Sequence, residues 1–468
     1  MKLKSTLHIV FFLVAISLSS CEKLLEIDDP ANELPSEVIF RSEATAKSAL
    51  AGAYSAMTAS SVFNVNITQF NAMSAGEVDF VGSTVFQDFM QNRYDPVITT
   101  RINNVWAETY NLIYRFNSII AGLSDNSAIS ASVAQQMLGE ARVMRAFCYF
   151  HLVNMFGDVP LVTITDVNKT SSLPRVPVPE IYNWLTIELE EAKNLVGDAY
   201  PGTAVLNSRA QVNKSAAKAL LARIYLFQKN YTKAEQYATE VINKTDLYTL
   251  LPKADLGKVF LKDSREAILQ LGPAVFYTNG YTVEGSTFVP TPTSTVANYE
   301  LTQNLLVAFE RNDERRTAWI KESNYAGKQT FQPFKYQNYN QTVATSSGRT
   351  EVPMLLRLAE QYLIRAEARS NTNNSSGARN DINILRRRAG LQDLASNINL
   401  EEAILKERQV EYFCELGDRW YTIKRMSKVD AIMQQLRPSF WKTYAQLYPI
   451  PQPARDTNPF LTQNDGYR

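Results

Sequence analysis

Residues 209–228 and 231–243 place Leu221, Ala222 and Tyr225 ahead of a short turn and Tyr231, Ala234 and Ala238 after it. At this spacing two antiparallel helices lock small side chains against large ones. A second pair runs through 355–369 and 377–389, with Leu358, Ala359 and Tyr362 on its first helix and Ala378, Ile382 and Leu385 on its second; Asn371 to Gly377 forms the turn. A chain carrying such pairs must bury its apolar stripes helix on helix, which sets a mainly α fold.

Further helical stretches surround the pairs. Residues 42–59 put Ala46, Ala49, Leu50, Ala53 and Tyr54 on one face, and 103–123 repeat the pattern with Trp106, Tyr110, Ile113, Tyr114, Asn117 and Ile120. The run 135–156 stops at Gly157-Asp158-Val159-Pro160, where glycine can take a left-handed cap and proline cannot continue the helix. A last helix at 400–416 leads into Gly417-Asp418-Arg419-Trp420-Tyr421. The two pairs resemble tetratricopeptide hairpins. Residues 246–350 instead are rich in Pro, Thr, Asn and aromatic residues with little helical period, and read as long loops and short strands carried by the helical body.

The first 21 residues carry Lys2 and Lys4, an apolar run from Leu7 to Leu18, and Leu18-Ser19-Ser20-Cys21. This is the order of a lipoprotein signal. The run would extend only about 18 Å as a helix against a hydrocarbon core of about 30 Å, so it targets and is removed. The expected organisation is a signal peptide over 1–20, lipidation at Cys21, a polar tether with Pro30 and Pro35 over 21–36, and one domain over 37–468. That domain divides into a helical half (37–245), a loop-rich insertion (246–350) and a C-terminal part (351–468).

Without the signal, 46 Lys and Arg face 47 Asp and Glu, a formal charge of −1. Nothing here attracts nucleic acid, and Arg386-Arg387-Arg388 reads as the solvated face of a helix. No later stretch has 18 consecutive apolar residues. Cys148 and Cys414 sit among apolar neighbours and read as small buried thiols, with a disulfide as the alternative. His151 would be the one histidine left, set among Tyr149, Phe150, Leu152 and Val153, and reads as a core or capping residue. A histidine-rich zinc site is thereby excluded, whereas hydrolysis by paired carboxylates is not. No catalytic motif, cofactor site or metal site is recognisable, and Asp79, Asp88 and Asp95 form no calcium loop.

Several segments in order carry a wider likeness: LLEIDDP after Cys21, GEARVMRAFCYFHLVNMFGDVPLV (139–162), SRAQVNKSAAKALLARIYLFQKNYTKAEQYATEVI (208–242), FERNDERRTAWI (309–320), LRLAEQYLIRAEA (356–368), NDINILRRRAGL (380–391), RQVEYFCELGDRWYTIKR (408–425) and LYPIPQPARDTNPFLTQNDGY (447–467). Along nearly its full length the chain resembles the SusD/RagB family of outer-membrane lipoproteins of Bacteroidetes. The resemblance implies a non-catalytic, palmitate-bearing, surface-facing nutrient-uptake protein. It would capture oligosaccharides, or in some branches peptides, and deliver them to a SusC-like TonB-dependent transporter. Tetratricopeptide-like pairs would form the scaffold facing the transporter, and the irregular part the ligand face. Two other classes stay open: an exported carboxylate hydrolase, and an interaction scaffold without a small ligand.

An oligosaccharide presents flat C–H faces and a rim of hydroxyls, so its site needs exposed rings with polar groups nearby. Two regions supply both. The first, Gly76 to Tyr94, offers Asp79, Phe80, Phe86, Phe89 and Tyr94; the second, Ala274 to Tyr299, offers Phe276, Tyr277 and Tyr281. In the motif helices, Arg142 and Arg145 read as locks onto carboxylates, and Glu411, Asp418 and Arg419 as charge-assisted bonds fixing a helix end. Pro449 to Pro459 reads as an extended strap.

Overall fold

The structure, a computed structural model, describes residues 39–97, 100–202, 208–272, 279–294, 296–325 and 327–467. The signal segment, Cys21 and the tether lie outside the described residues. Among the described residues no helix is long and apolar enough to cross a membrane.

Helix α1 (Glu43–Ala59) begins at Ser42, whose hydroxyl caps the Thr45 N–H, and buries Ala46, Leu50, Ala53 and Tyr54. A π-helical turn, Val62–Asn66, runs directly into α2 (Ile67–Ser74). After strand β1 (Val78–Phe80) and the short α3 (Gln87–Gln91), the long helices α4 (Thr100–Leu123) and α5 (Ala131–Phe156) pack together. Helix α5 ends at Gly157, but not in the expected left-handed cap: its φ of +74° comes with ψ −132°, a backbone open to glycine, and a Cβ there would meet Leu447 at 2.9 Å.

The row continues through α6 (Val178–Leu195), α7 (Lys214–Phe227) and α8 (Tyr231–Ile242), each against the one before. Ala216, Ala217, Ala219 and Ala222 of α7 and Ala234 and Ala238 of α8 are fully buried, so the two backbones approach closely. The rings of Tyr225 and Tyr237 stack at 5.8 Å, and both hydroxyls donate to Glu190 of α6, at 2.8 and 2.7 Å. The chain then leaves the row, and α9 (Leu358–Asn371) returns to pack directly on α8, followed by α10 (Ser375–Arg388) and α11 (Leu400–Tyr412). Arg223 of α7 holds Glu360 of α9 through two bonds of 2.7 Å across the gap in sequence. Helices α12 (Asp418–Arg425) and α13 (Val429–Leu436) close the body.

The insertion has the expected loops and short strands, and also short helices that its sequence does not announce, Val283–Phe288, Gln303–Leu306, Glu314–Trp319 and Gln341–Ser347; its strands form two-stranded pieces. Strand β2 (Ala267–Gln270) pairs antiparallel with β6 (Met354–Arg357), β3 (Tyr299–Leu301) with β1, and β4 (Ile320–Tyr325) with β5 (Lys328–Pro333). What fastens it to the helices is charge. Arg315 is gripped by Asp313 at 2.8 and 2.9 Å, by Glu407 at 2.6 Å and by Glu411 at 2.9 Å, all buried. Arg357 binds Glu411 at 2.6 Å and Glu415 at 2.8 and 2.9 Å, and its guanidinium lies 3.7 Å over the Tyr412 ring. Arg388 reaches Glu266 at 2.6 Å and also Glu411. Burial pushes the Glu411 carboxyl up, but the guanidiniums of Arg388, Arg357 and Arg315 outweigh it and hold the group well below the usual carboxylate range.

The arginine triplet is therefore not a solvated face. Arg387 alone faces solvent, with Asp393, while Arg386 and Arg388 are buried against carboxylates from the insertion and α11. Arg145 does lock α5 to α6 through Glu188, and Arg142 reaches Glu188 at 3.3 Å. Asp418 binds Arg408, whereas Arg419 Nε and Nη1 have no hydrogen-bond partner among the described residues. The C-terminal strap is extended only at its ends, because Gln452–Thr457 is a short helix entered through Pro451. Cys148 and Cys414 are free and buried. His151 is a core residue, with Nδ1 3.2 Å from the Tyr421 hydroxyl and rings of Phe63, Phe147 and Phe150 around it.

Two buried carboxyls give the fold a pH signature. Burial pushes Glu77 and Glu284 up to about 8, against the partial opposition of the Cys414 N–H and the Thr68 hydroxyl. Both keep a proton in the folded chain that the unfolded chain loses near 4.5. Their contribution is complete below that value and is lost as pH rises through about 8. Glu284→Gln, which stays neutral, is expected to show a smaller drop in melting temperature than the parent between pH 6 and 9; equal drops would refute the assignment.

Candidate functional site

Strand β1 ends at the molecular surface, and its last two residues begin the site. The β1–β3 pairing sets Asp79 opposite Glu300 and Phe80 opposite Tyr299. Beneath them lies an aromatic floor. Phe70 and Phe89 stack at 4.4 Å, Tyr94 and Tyr448 meet edge to face at 4.8 Å, and Phe89 touches both tyrosines.

Phe80 lies above this floor, half-buried, with Phe86 at 5.0 Å and Tyr299 at 4.9 Å. Together with Asp79, Val81, Met90 and Gln91 it forms one side of an open groove of about 440 Å³. The other side is the turn after α13: Leu436, Arg437, Pro438, Ser439 and Phe440. Phe440 is 37 % exposed and Val81 48 % exposed, so the groove has apolar surface at its rim.

Arg437 joins the two sides. Its guanidinium donates to the carbonyls of Met73, of Ser74 at 3.4 Å and of Phe89 at 3.1 Å, and to the Asn92 side chain. Burial lowers its pKa from the usual arginine value, while Tyr94 and Asp79 oppose the shift. All of these acceptors belong to the 73–92 segment, so the turn is clamped to α2 and α3 by main-chain recognition. Asn92 takes a left-handed conformation, φ 51°, and presents its side-chain oxygen to this clamp.

The polar groups left for a ligand are few. No donor among the described residues hydrogen-bonds the Asp79 carboxylate, and the side chains of Gln91 and Ser439 make no hydrogen bond there either. Burial pushes Asp79 above its ordinary range, Arg437 opposes this, and Glu300 adds to it. The groove thus offers ring and aliphatic surface beside an acceptor, an amide and a hydroxyl, the combination that grips a polyol.

The residues singled out by sequence divide accordingly. Asp79 and Phe80 line the groove. Phe89 and Tyr94 do not reach it: at 0 % and 6 % exposure they are core, because α3 turns them under the strand. The Phe86 face carries the Arg101 guanidinium at 4.7 Å, which occupies the surface a sugar would need. Tyr281 is half-buried and lies outside the groove, and Phe276 and Tyr277 fall outside the described residues. The opposite wall, 436–440, escapes sequence reasoning. Its only local signal is an exposed aromatic directly after Arg-Pro-Ser.

Comparison with known proteins agrees with this architecture. Residues 24–226 match a family model described as starch-binding, associating with the outer membrane, and residues 276–467 match the SusD family model. The SusD-like protein P25 of Formosa agariphila is 25% identical, covering 98% of this chain and 99% of its own. A SusD superfamily protein of Bacteroides vulgatus superposes with a TM-score of 0.77 at 20% identity, over 92% of this chain and 100% of that one. A laminarin-binding SusD-like protein gives 0.75 at 23% identity, over 91% and 100%.

Proposed function

We propose a role on the premise that this chain belongs to the SusD/RagB family: it captures oligosaccharides at the outer membrane and delivers them to a SusC-like TonB-dependent transporter. The family description, starch-binding and associated with the outer membrane, supports the location and the class of ligand. The observation that carries the reading is the groove itself, where Phe80 and Phe440 stand beside the unengaged Asp79, Gln91 and Ser439. Laminarin binding by a structural neighbour favours a glycan as cargo. Lipid at Cys21 would keep the protein at the membrane, and the outward-facing surface would be the grooved one.

Affinity gel electrophoresis of the chain from Glu22 onward, on laminarin, starch and other plant, fungal and host polysaccharides, tests this reading. Retardation on at least one is expected, with dissociation constants on the order of micromolar to millimolar for a groove this open. Retention of a peptide library with no glycan retarded would overturn it. Co-purification of a TonB-dependent barrel with the lipidated protein tests the delivery step.

A further inference from the structure

We propose that the groove selects uncharged glycans and turns away anionic ones, with Asp79 as the discriminating residue. The inference rests on the groove being the glycan site, and it concerns only the charge of the cargo. A uronate or sulfate ester needs a cation or a cluster of free donors at its anionic group. Among the described residues the one cation lining this groove is Arg437. Its guanidinium is spent on three main-chain carbonyls and the Asn92 amide, all on the protein side. Turning it toward a ligand would release these buried acceptors and unfasten the 436–440 wall, so it is not available as an anion receptor.

The other charged residue lining the groove is negative, and the Arg101 guanidinium, outside the lining, lies over the Phe86 ring. Asp79 lines it without a hydrogen-bond donor among the described residues, and Glu300 faces Asp79 across the strand pair. Glu300 is itself engaged by Lys328 at 2.8 and 2.9 Å, which uses the nearest lysine of the β4–β5 hairpin. A neutral sugar supplies what Asp79 lacks: hydroxyl donors at a partly desolvated carboxylate, a charge-assisted pairing stronger than one between neutral groups. A carboxylate or sulfate in the same place meets like charge at reduced dielectric.

The test is paired titration of the soluble chain with neutral polymers, laminarin and amylose, and with uronate polymers, polygalacturonate and alginate, at low and high salt. Binding to a neutral polymer at least about tenfold tighter than to either uronate at low salt is expected, with the gap shrinking as salt screens the repulsion. Asp79→Asn is expected to narrow the ratio, and Asp79→Arg to bring uronate binding up while neutral binding falls; melting temperatures near the parent's show that both variants fold. Equal affinity for both polymer types, or a ratio unmoved by either variant, would overturn the inference and leave glycan capture standing. Binding to none of the four, with no other polysaccharide of the gel panel retarded, would overturn the glycan assignment of the groove, and this inference with it.

Discussion

Glu411→Ala is expected to lower the free energy of unfolding by about 3–5 kcal/mol, measured by denaturant titration with an unchanged slope. Glu411 is fully buried and accepts from Arg315, Arg357 and Arg388 at once. Removing it leaves three guanidiniums crowded in the interior with one fewer carboxylate. The sign depends on breaking the network from one side; replacing every member with matched apolar groups would be a different experiment and could be neutral. Glu411→Gln, which retains acceptor and shape, is expected to cost less than alanine. A loss below about 1 kcal/mol for Glu411→Ala would mean that Glu407, Glu415 and Glu266 re-pair the three arginines unaided.

The second large effect concerns binding. Phe80→Ala and Phe440→Ala are each expected to weaken capture of a retarded glycan by about 2 kcal/mol, roughly thirtyfold, since these are the two aromatic rings among the described residues that line the groove. Calorimetry on the soluble chain checks this. Phe440 is exposed, so its variant is expected to melt like the parent, whereas Phe80→Ala also loses contact with Phe86 and Tyr299 and is expected to melt somewhat lower. Tyr281→Ala, outside the groove, serves as the comparison, and an equal loss there would place the ligand on the insertion instead.

The contrast between what the sequence discloses and what it hides follows sequence distance. The helices at 42–59, 103–123 and 135–156 and both hairpins are legible, because a 3.6-residue period and alanine spacing are local properties. Helix Val178–Leu195 goes unassigned, although Pro179 in its first turn is a fair start signal. Arg386 and Arg388 mislead because a run of arginines looks solvated until its partners are known, and Glu266 lies 122 residues from Arg388. For the site, one wall is legible in Asp79 and Phe80. The facing wall is not: Arg437 meets Asn92 from 345 residues away, and no local pattern announces that meeting. The same topology turns Phe89 and Tyr94 inward, which aromatic content alone cannot reveal.

The C-terminal segment also sets a clock. Tyr448 hydrogen-bonds to Asn71, at 3.2 Å, and to Ser74, at 3.0 Å. The Asn464 amide donates to the carbonyls of Phe156 and Tyr448 at 2.9 and 2.8 Å. A ribosome adding about 5–20 residues per second makes α2 wait on the order of tens of seconds for partners more than 370 residues downstream. Throughout that interval Asn71, Ser74 and the Phe156 carbonyl lack these partners. These contacts thus await the chain's own last twenty-odd residues, and a chain cut short before Tyr448 can make none of them.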